Sequence, residues 1–458
     1  MDFVSSAQMS LGTKSTSILK RDGLLYAAKM ITSVIIARKL GPEMLGVFMI
    51  LSLIPSYAES FGRLKFDAAA VYFLGKKKYL IGEVVLTLNL LALATSGLIV
   101  GFIVWQFEWI YGLLFSNTNY DATALIYFTL LQIPVHFLWM NYAYLILHKE
   151  DVVTYNHMVT INALVSSLLS ITLLLLCDLG LWAVAGSTVV GTFLSLIYGI
   201  FALGAIGPAG KLFNKSLARD LYKYGSKLYV AGLIGQLQTN ITNLLAAFYL
   251  VPAQVAFFSQ ARGLGQMMDR VPTSLNTVLF PRMTKTVDPK EAARITARAF
   301  RLILVMLIVI AVIAVILIHP AVQLIYGSAF LPLVLPFLIL IPGIVLSGAT
   351  TPFMQYFMSI NRPDLGATLP LVPLGIQVAL AMILIPMLGA AGAALAFTIG
   401  LVTSSLISLW MFLKLSDCTL RRDLMVRRED LRYLWRFSMA EAMKIWKTMK
   451  FIRPPHAK

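Results

Sequence analysis

Charged residues are scarce in this chain: Asp, Glu, Lys and Arg together make up only 13% of its 458 residues. Soluble domains usually carry about 25%. Hydrophobic residues account for 59% of the chain, and a water-soluble fold cannot bury so much apolar surface. The composition therefore excludes a soluble protein and predicts an integral membrane protein.

Acidic residues are the scarcest charged class, with 21 Asp and Glu against 38 Lys and Arg, which gives a net charge of +17. Such a basic excess can indicate a nucleic-acid partner. Here, however, the basic residues lie in short clusters between apolar runs, which is typical of cytoplasmic loops held by anionic lipid. We therefore expect membrane lipids as partners and no nucleic acid.

Cysteine is limited to Cys177 and Cys418, and the topology given below puts them on opposite faces of the membrane. No disulfide is therefore expected. The spacing of His and Cys suggests no metal site, and the chain has no Gly-rich phosphate loop and no arrangement typical of a catalytic nucleophile. We expect no catalytic residue, no metal and no cofactor, and we assign no role to His136 or His157.

Apolar runs long enough to cross a membrane, about 20 residues each, recur along the whole chain and predict an all-α polytopic fold with twelve transmembrane helices. The predicted spans are 19–39, 46–75, 79–105, 122–147, 154–176, 181–204, 223–249, 252–284, 298–318, 331–359, 365–387 and 390–413.

Basic residues set the orientation, because cytoplasmic loops are enriched in Lys and Arg. With the N-terminus inside, 31 of them fall on the cytoplasmic side, and only Arg38 and Lys39 fall outside. The remaining five lie within spans. We predict a multi-pass protein of the cell membrane with both termini in the cytoplasm.

Two sequence anchors recur at nearly one offset. Leu40-Gly41-Pro42-Glu43 is followed 210 residues later by Leu250-Val251-Pro252-Ala253, and Leu179-Gly180 is followed 209 residues later by Leu388-Gly389. An even number of spans in each repeat gives both repeats the same orientation. The chain is therefore predicted to form two six-helix bundles related by a pseudo-two-fold axis along the membrane normal.

Four regions follow from this repeat. An N-terminal lobe spans 1–204, a basic cytoplasmic linker 205–222, and a C-terminal lobe 223–414. Residues 415–458 form a basic tail in which apolar residues recur at near-helical spacing, and it is predicted to lie as an amphipathic helix on the inner leaflet. A solvated, disordered tail is the alternative.

Ionisable residues within spans are functional-site candidates, because a charge at that depth is costly unless it lines a polar cavity. In the predicted helix 46–75, Glu59, Arg63 and Asp67 are spaced four apart and share one face. The predicted helix 252–284, at the repeat offset, carries Arg262, Asp269 and Arg270.

We predict that these two helices face a water-filled, net-cationic chamber between the bundles. The proposed substrate-binding residues are Lys29, Arg63, Arg262 and Arg270, since Arg and Lys bind phosphate oxygens. A structural ion-pair ladder is the alternative role for Arg63. Glu59 and Asp269 are candidates for binding a coupling ion, H⁺ or Na⁺. An inside-negative membrane potential is an alternative driving force for the return of an empty cationic site.

Three further motifs occur in order along the chain after the Ala37–Gly46 stretch (ARKLGPEMLG): Val278–Pro281 (VLFP), Leu324–Phe330 (LIYGSAF) and Leu384–Ala394 (LIPMLGAAGAA). Together they resemble the multidrug/oligosaccharidyl-lipid/polysaccharide (MOP) flippase superfamily. The closest resemblance is to its polysaccharide-transport branch, which holds the Wzx-type O-antigen flippases.

The resemblance implies two six-helix lobes that work by alternating access. It also implies a lipid-diphosphate-linked oligosaccharide that moves from the cytoplasmic to the outer leaflet, and a monomer that associates with polysaccharide assembly enzymes. A multidrug or cation antiporter of the same superfamily is the first alternative. A membrane polysaccharide polymerase or ligase is the second, although the short outer loops argue against it.

Overall fold

A computed structural model describes residues 2–204, 213–270, 272–273, 288–427 and 430, and nearly all of them are helical. No residue within these ranges lies in a β-strand. The prediction of an all-α polytopic membrane protein is therefore confirmed.

Fifteen α-helices follow one another along the described parts of the chain. They are α1 (Asp2–Gly62), α2 (Phe66–Gly75), α3 (Ile81–Trp105), α4 (Phe107–Phe115), α5 (Thr123–Leu130), α6 (Gln132–His148), α7 (Val152–Leu176), α8 (Leu181–Leu203), α9 (Lys215–Tyr249), α10 (Pro252–Gln266), α11 (Pro289–Ile325), α12 (Val334–Ser359), α13 (Leu365–Thr368), α14 (Leu371–Leu388) and α15 (Ala390–Leu415). Short 3₁₀-helical turns cover Met267–Asp269 and Ser328–Leu333, and a π-helical turn covers Leu420–Leu424.

Eight helical stretches of the described chain are long and apolar enough to cross a membrane. They coincide with the predicted spans three to six and nine to twelve. The other four predicted spans are the first two of each repeat, and they lie in α1, α2, α9 and α10. These helices carry more polar and charged side chains, so they need protein or water rather than lipid beside their polar surfaces.

The predicted helix 46–75 is broken, which corrects the expectation of one continuous helix. α1 ends at Gly62 and α2 begins at Phe66. Between them Leu64 and Lys65 have φ angles of 47° and 55°, a left-handed conformation that costs about 1–2 kcal/mol for residues other than glycine. The turn packs closely on α9, because a Cβ added at Gly225 would lie 2.6 Å from the Leu64 carbonyl oxygen.

The linker predicted at 205–222 is shorter than expected, since α9 already begins at Lys215. Asn214 caps the helix by accepting a hydrogen bond from the Leu217 amide at 3.1 Å, and such caps stabilise a helix start by about 1 kcal/mol. Leu217 and Leu221 are fully buried. The buried face of Leu217 and Leu221 therefore extends α9 into residues that were predicted to form a loop because they are basic.

An ion cluster holds this end of α9. The Lys78 ammonium lies 2.6 Å from the Asp220 carboxylate, and the Tyr79 hydroxyl donates to the same oxygen at 2.6 Å. The Lys78 hydrogen bond and then the Tyr79 hydrogen bond lower the pKa of Asp220 below its ordinary value.

The chain forms two compact units. The first comprises residues 1–260, 320–336 and 378–393, and the second comprises 261–319, 337–377 and 394–458. In the first unit, buried side chains of α2, α3, α6, α8 and α9 form one continuous apolar core. In the second, the Phe353 ring stacks on those of Phe412 at 4.5 Å and Phe300 at 5.3 Å. The lobe boundaries at 204 and 223 stay a prediction.

The tail predicted at 415–458 falls mostly outside the described residues. The part that is described is attached to α11 by Arg301. Its Nε lies 2.7 Å from an Asp430 carboxylate oxygen, and both side chains are buried.

The repeated glycines both have a positive φ angle. Gly180 (φ 54°) directly precedes α8, and Gly389 (φ 61°) directly precedes α15. Both therefore occupy the left-handed region, which glycine enters without a steric cost. The sequence repeat thus corresponds to a repeated structural feature, a glycine with a positive φ angle directly before a helix.

We predict that Gly389→Ala lowers the melting temperature of the purified protein. The change forces alanine into the left-handed region, at a cost of about 1–2 kcal/mol, and its Cβ would lie 2.9 Å from the Gln254 side chain. Gly375→Ala is the matched control, because Gly375 is helical, exposed and has open space around it. Equal melting temperatures for the two variants would contradict this account of the repeat.

Candidate functional site

A polar cavity of about 420 Å³ lies within the first unit. Its walls come mainly from α1, α7 and α8, with Gln132 of α6 and Gln260 of α10 completing them. Eleven of the lining side chains end in a hydroxyl or an amide. Those of α7 are Asn162, Ser166, Ser167 and Ser170, and those of α8 are Ser187, Thr188 and Thr192.

The helical spacing of these residues explains why they meet. Asn162, Ser166 and Ser170 are four residues apart, so they form one stripe along α7. The Asn162 amide donates to the Thr192 hydroxyl at 3.3 Å. The helices approach closely at Gly191, where an added Cβ would lie 2.1 Å from the Ser166 hydroxyl oxygen.

Two of these hydroxyls are buried without a hydrogen-bond partner in the described part of the chain: Ser166 Oγ and Ser170 Oγ. A buried hydroxyl without a partner is unfavourable by about 1–3 kcal/mol. Both residues line the cavity, but their oxygens have almost no accessible surface, so a water or a ligand hydroxyl reaches them only after the side chains rotate.

Lys29 is the only Lys or Arg that lines this cavity, and its side chain is exposed. It belongs to α1, twelve residues before the bend of that helix at Gly41 (φ 72°). Asp and Glu are absent from the lining of this cavity. The cavity therefore offers neutral hydrogen-bonding groups and one positive charge.

A second cavity of about 230 Å³ adjoins the first and shares Phe48, Gln132, His136 and Thr188 with it. Glu59 lines this smaller cavity. The two spaces together form a polar region that runs along α1 inside the first unit.

Four ionisable side chains form a continuous ion-pair row beside the smaller cavity. The Arg63 guanidinium donates to a Glu59 oxygen at 2.8 Å and also to an Asp67 oxygen. The other Glu59 oxygen lies 3.3 Å from His136 Nε2. The Arg63 side chain is 9% exposed and that of Asp67 only 2%, whereas that of His136 is 28% exposed. The ion-pair row therefore runs from the buried Asp67 to the partly exposed His136.

This ion-pair row bridges the break between α1 and α2. Glu59 lies in the last turn of α1 and Asp67 in the first turn of α2, and Arg63 holds both from the turn between them. A guanidinium can bind two carboxylates through separate donors. The geometry therefore favours the structural ion-pair ladder, and a role for Arg63 in phosphate binding stays a prediction.

The other predicted site residues, Arg262, Asp269 and Arg270, lie in the second unit. Arg262 is buried, with its guanidinium 4.9 Å from the Phe397 ring centre. It can donate to the Gln266 side chain at 3.2 Å when the amide oxygen faces it. Asp269 lies in the turn Met267–Asp269, and both Asp269 and Arg270 are exposed.

The predicted helix 252–284 is described only as far as Thr273. α10 ends at Gln266, and residues 274–287 lie outside the described chain together with the Val278–Pro281 motif. No group of three or more His, Cys, Asp or Glu in the described ranges could hold a metal ion.

The sequence analysis missed His136 and the hydroxyl stripe of α7. His136 lines both cavities and bonds Glu59, but a lone histidine in a span gives no indication of its neighbours. Gln132 and His136 are four residues apart, as are Asn162, Ser166 and Ser170. This spacing of polar residues within apolar spans was the available indication of a polar helix face.

Comparison with known families identifies the chain. The model of a family described as polysaccharide biosynthesis protein matches residues 35–335, well over half of the sequence. The chain belongs to this family. Comparison with curated protein sequences gives no match.

Solved structures show the same fold in this polysaccharide biosynthesis protein. The lipid II flippase MurJ, in an inward closed conformation, is 12% identical with a TM-score of 0.68 and covers 94% of each chain. An inward-facing multidrug resistance MATE family transporter of the MOP superfamily is 13% identical with a TM-score of 0.66, covering 85% of this chain and 94% of that one. The eukaryotic MATE transporter AtDTX14 is 14% identical with a TM-score of 0.56, covering 86% of this chain and 96% of that one.

The family match and the shared fold confirm the superfamily that the motifs predicted, and the twelve-helix, two-bundle arrangement agrees with them. The protein is a multi-pass membrane protein whose structural neighbours are transporters and a flippase.

We predict that Arg63→Gln destabilises the protein strongly, because it leaves the buried Asp67 carboxylate without its counter-ion. Removing one partner of a buried ion pair typically costs about 3–5 kcal/mol. The measurement is the yield and melting temperature of the purified variant.

The double variant Arg63→Gln/Asp67→Asn separates the two roles of Arg63. If the ladder is structural, removing both charges restores much of the lost stability. If Arg63 instead serves only the substrate, the single variant will fold as well as the parent and lose transport alone.

Proposed function

We propose that this protein is a flippase that moves a lipid-diphosphate-linked oligosaccharide, a polysaccharide or O-antigen precursor, from the cytoplasmic to the outer leaflet by alternating access. The observation that carries the proposal is the first-unit cavity, with eleven hydroxyl and amide side chains and the Lys29 ammonium. Membership of the polysaccharide biosynthesis family supports it.

The chemistry of the cavity suits a glycan. Sugar hydroxyls both donate and accept hydrogen bonds, and so do the serine, threonine, asparagine and glutamine side chains that line it. The cavity volume of about 420 Å³ lies within the range of about 300–1,000 Å³ that is common for ligand sites.

The charge of the cavity suits an anion. Lys29 offers an ammonium that can bind a phosphate oxygen as a point charge. We propose Lys29 as the phosphate-binding residue of the first unit, and Arg262 and Arg270 as those of the second. Arg63 has a lower rank because it holds two carboxylates.

A multidrug or cation antiporter is the second candidate, and the MATE-like fold favours it. A cation needs an available carboxylate, and Glu59 is the one that lines the smaller cavity. Both of its oxygens already face Arg63 or His136. The local charge balance therefore supports the flippase. A polysaccharide polymerase or ligase is the weakest candidate, since the structural neighbours are transporters.

We further propose that transport is coupled to H⁺ or Na⁺ through Glu59 or Asp269, or else driven by the membrane potential. Glu59 is better placed for a proton, because it contacts His136, whose ring lines both cavities. The protein acts as a monomer in the cell membrane beside polysaccharide assembly enzymes, with both termini in the cytoplasm, in keeping with the distribution of Lys and Arg.

Deletion of the gene tests the proposed function. We expect diphosphate-linked oligosaccharide to accumulate on the inner leaflet, as measured by lipid extraction and by the access of a membrane-impermeant glycosidase. Sensitivity to toxic cations should not change. An unchanged lipid pool together with altered drug sensitivity would favour the antiporter instead.

Complementation with Lys29 variants tests the anionic part of the substrate. Lys29→Gln should reduce flipping about tenfold or more, because a hydrogen bond to a charged group contributes about 1.5–3 kcal/mol. Lys29→Arg is the matched control and should retain most of the activity. Full complementation by Lys29→Gln would remove Lys29 from the phosphate site.

A further inference from the structure

Arg38 has a partner that the proposed function does not explain. Its Nε donates to the Ile325 carbonyl oxygen at 2.7 Å, and its Nη2 donates to the Leu324 carbonyl oxygen. These three residues all belong to the first unit. They also belong to two of the sequence motifs, ARKLGPEMLG and LIYGSAF, which are nearly 300 positions apart.

The two carbonyls are groups that a helix end leaves without a partner. α11 ends at Ile325, and the last four carbonyls of a helix lack an internal amide donor. The Val322 carbonyl accepts from the Tyr326 amide at 2.8 Å and the Gly327 amide at 3.1 Å. Arg38 satisfies the last two, those of Leu324 and Ile325, and its charge complements the negative end of the helix dipole.

Other close contacts within the first unit surround this bond. The Tyr326 hydroxyl faces the Ser33 side chain, and the Gln260 amide donates to the Ser33 hydroxyl at 3.5 Å. A Cβ added at Gly46 would lie 1.8 Å from the Pro252 carbonyl oxygen, so α1 and α10 touch at the level of their backbones. The parts of α1 on either side of the non-helical Gly41 are thus attached to segments from the second half of the sequence.

We propose that Arg38 is a releasable latch that holds the middle of α1 closed against the end of α11 during the transport cycle. The proposal rests on the transport function, because only a transporter needs to open there. Arg38 is exposed to solvent, so water can replace both carbonyls when the contact breaks. Carbonyl acceptors also make the latch independent of which side chains occupy positions 324 and 325.

Lys39 provides a matched control. It is the neighbouring cation and pairs with Asp178 at 3.1 Å, but these side chains are 42% and 79% exposed. Exposed pairs of this kind contribute little. Loss of Lys39 should therefore leave the contact between α1 and α11 intact, whereas loss of Arg38 should not.

Thiol accessibility measures the opening. Cys177 and Cys418 are replaced by serine, and Ala256→Cys introduces a reporter at a fully buried position of α10, one helical turn after Pro252. The purified protein in nanodiscs is treated with a small methanethiosulfonate reagent that reaches both faces. Ala37→Cys, also fully buried, supplies a second reporter on α1.

We expect Arg38→Gln to raise the labelling rate at least about tenfold, a shift of about 1.4 kcal/mol toward the open form. Lys39→Gln should leave the rate within twofold of the parent, and Arg38→Lys should lie between them. Equal rates for the parent and Arg38→Gln at both reporters, or equal increases for Arg38→Gln and Lys39→Gln, would overturn the latch.

The labelling rate does not depend on the identity of the substrate. If Arg38→Gln opens the protein but the deletion strain shows no trapped glycan lipid, the latch stands and the flippase proposal fails. If the glycan lipid is trapped but labelling is unaffected, the flippase stands and the latch fails.

Discussion

The ion pairs of Arg63 are the interaction on which the first unit depends. A charge within a membrane-spanning region must be paired or hydrated, and here one guanidinium serves two carboxylates. Because those carboxylates belong to α1 and α2, the same contacts stabilise the break between the helices. The left-handed turn at Leu64 and Lys65 thus has an electrostatic compensation for its conformational cost.

The arrangement also determines what the cavity presents to a ligand. With Glu59 bound to Arg63 and His136, its carboxylate is held at the edge of the polar region. The larger cavity keeps Lys29 and a wall of hydroxyls and amides. A net-cationic chamber was expected from the count of charges within spans. That chamber between the bundles stays a prediction, and the larger cavity of the first unit is a largely neutral polar site that carries one positive charge.

Much of the fold could be predicted, because the bilayer imposes helix length and composition. Eight predicted spans coincide with long apolar helices, and the repeat anchors Gly180 and Gly389 both have a positive φ angle. The break at 63–65 could not be predicted, since a spacing of four residues suits either one helix or an arginine that bridges two. Neither Leu64 nor Lys65 is a residue type that marks a left-handed turn.

The cavity was harder to predict than the helices. Serine and threonine within an apolar helix often bond their own backbone, as Thr192 does to the Thr188 carbonyl, so their presence alone does not indicate a polar space. The cavity appears only once α7 and α8 are packed together at Gly191. His136 similarly acquires a role only from the three-dimensional position of Glu59.

The most direct test of this account is an experimental structure of the protein with a lipid-diphosphate oligosaccharide bound. The account predicts glycan density against Ser166 and Ser170, a phosphate within reach of Lys29, and Arg63 still bonded to Glu59 and Asp67. A phosphate seated on the Arg63 guanidinium, with the α7 and α8 wall unoccupied, would contradict it.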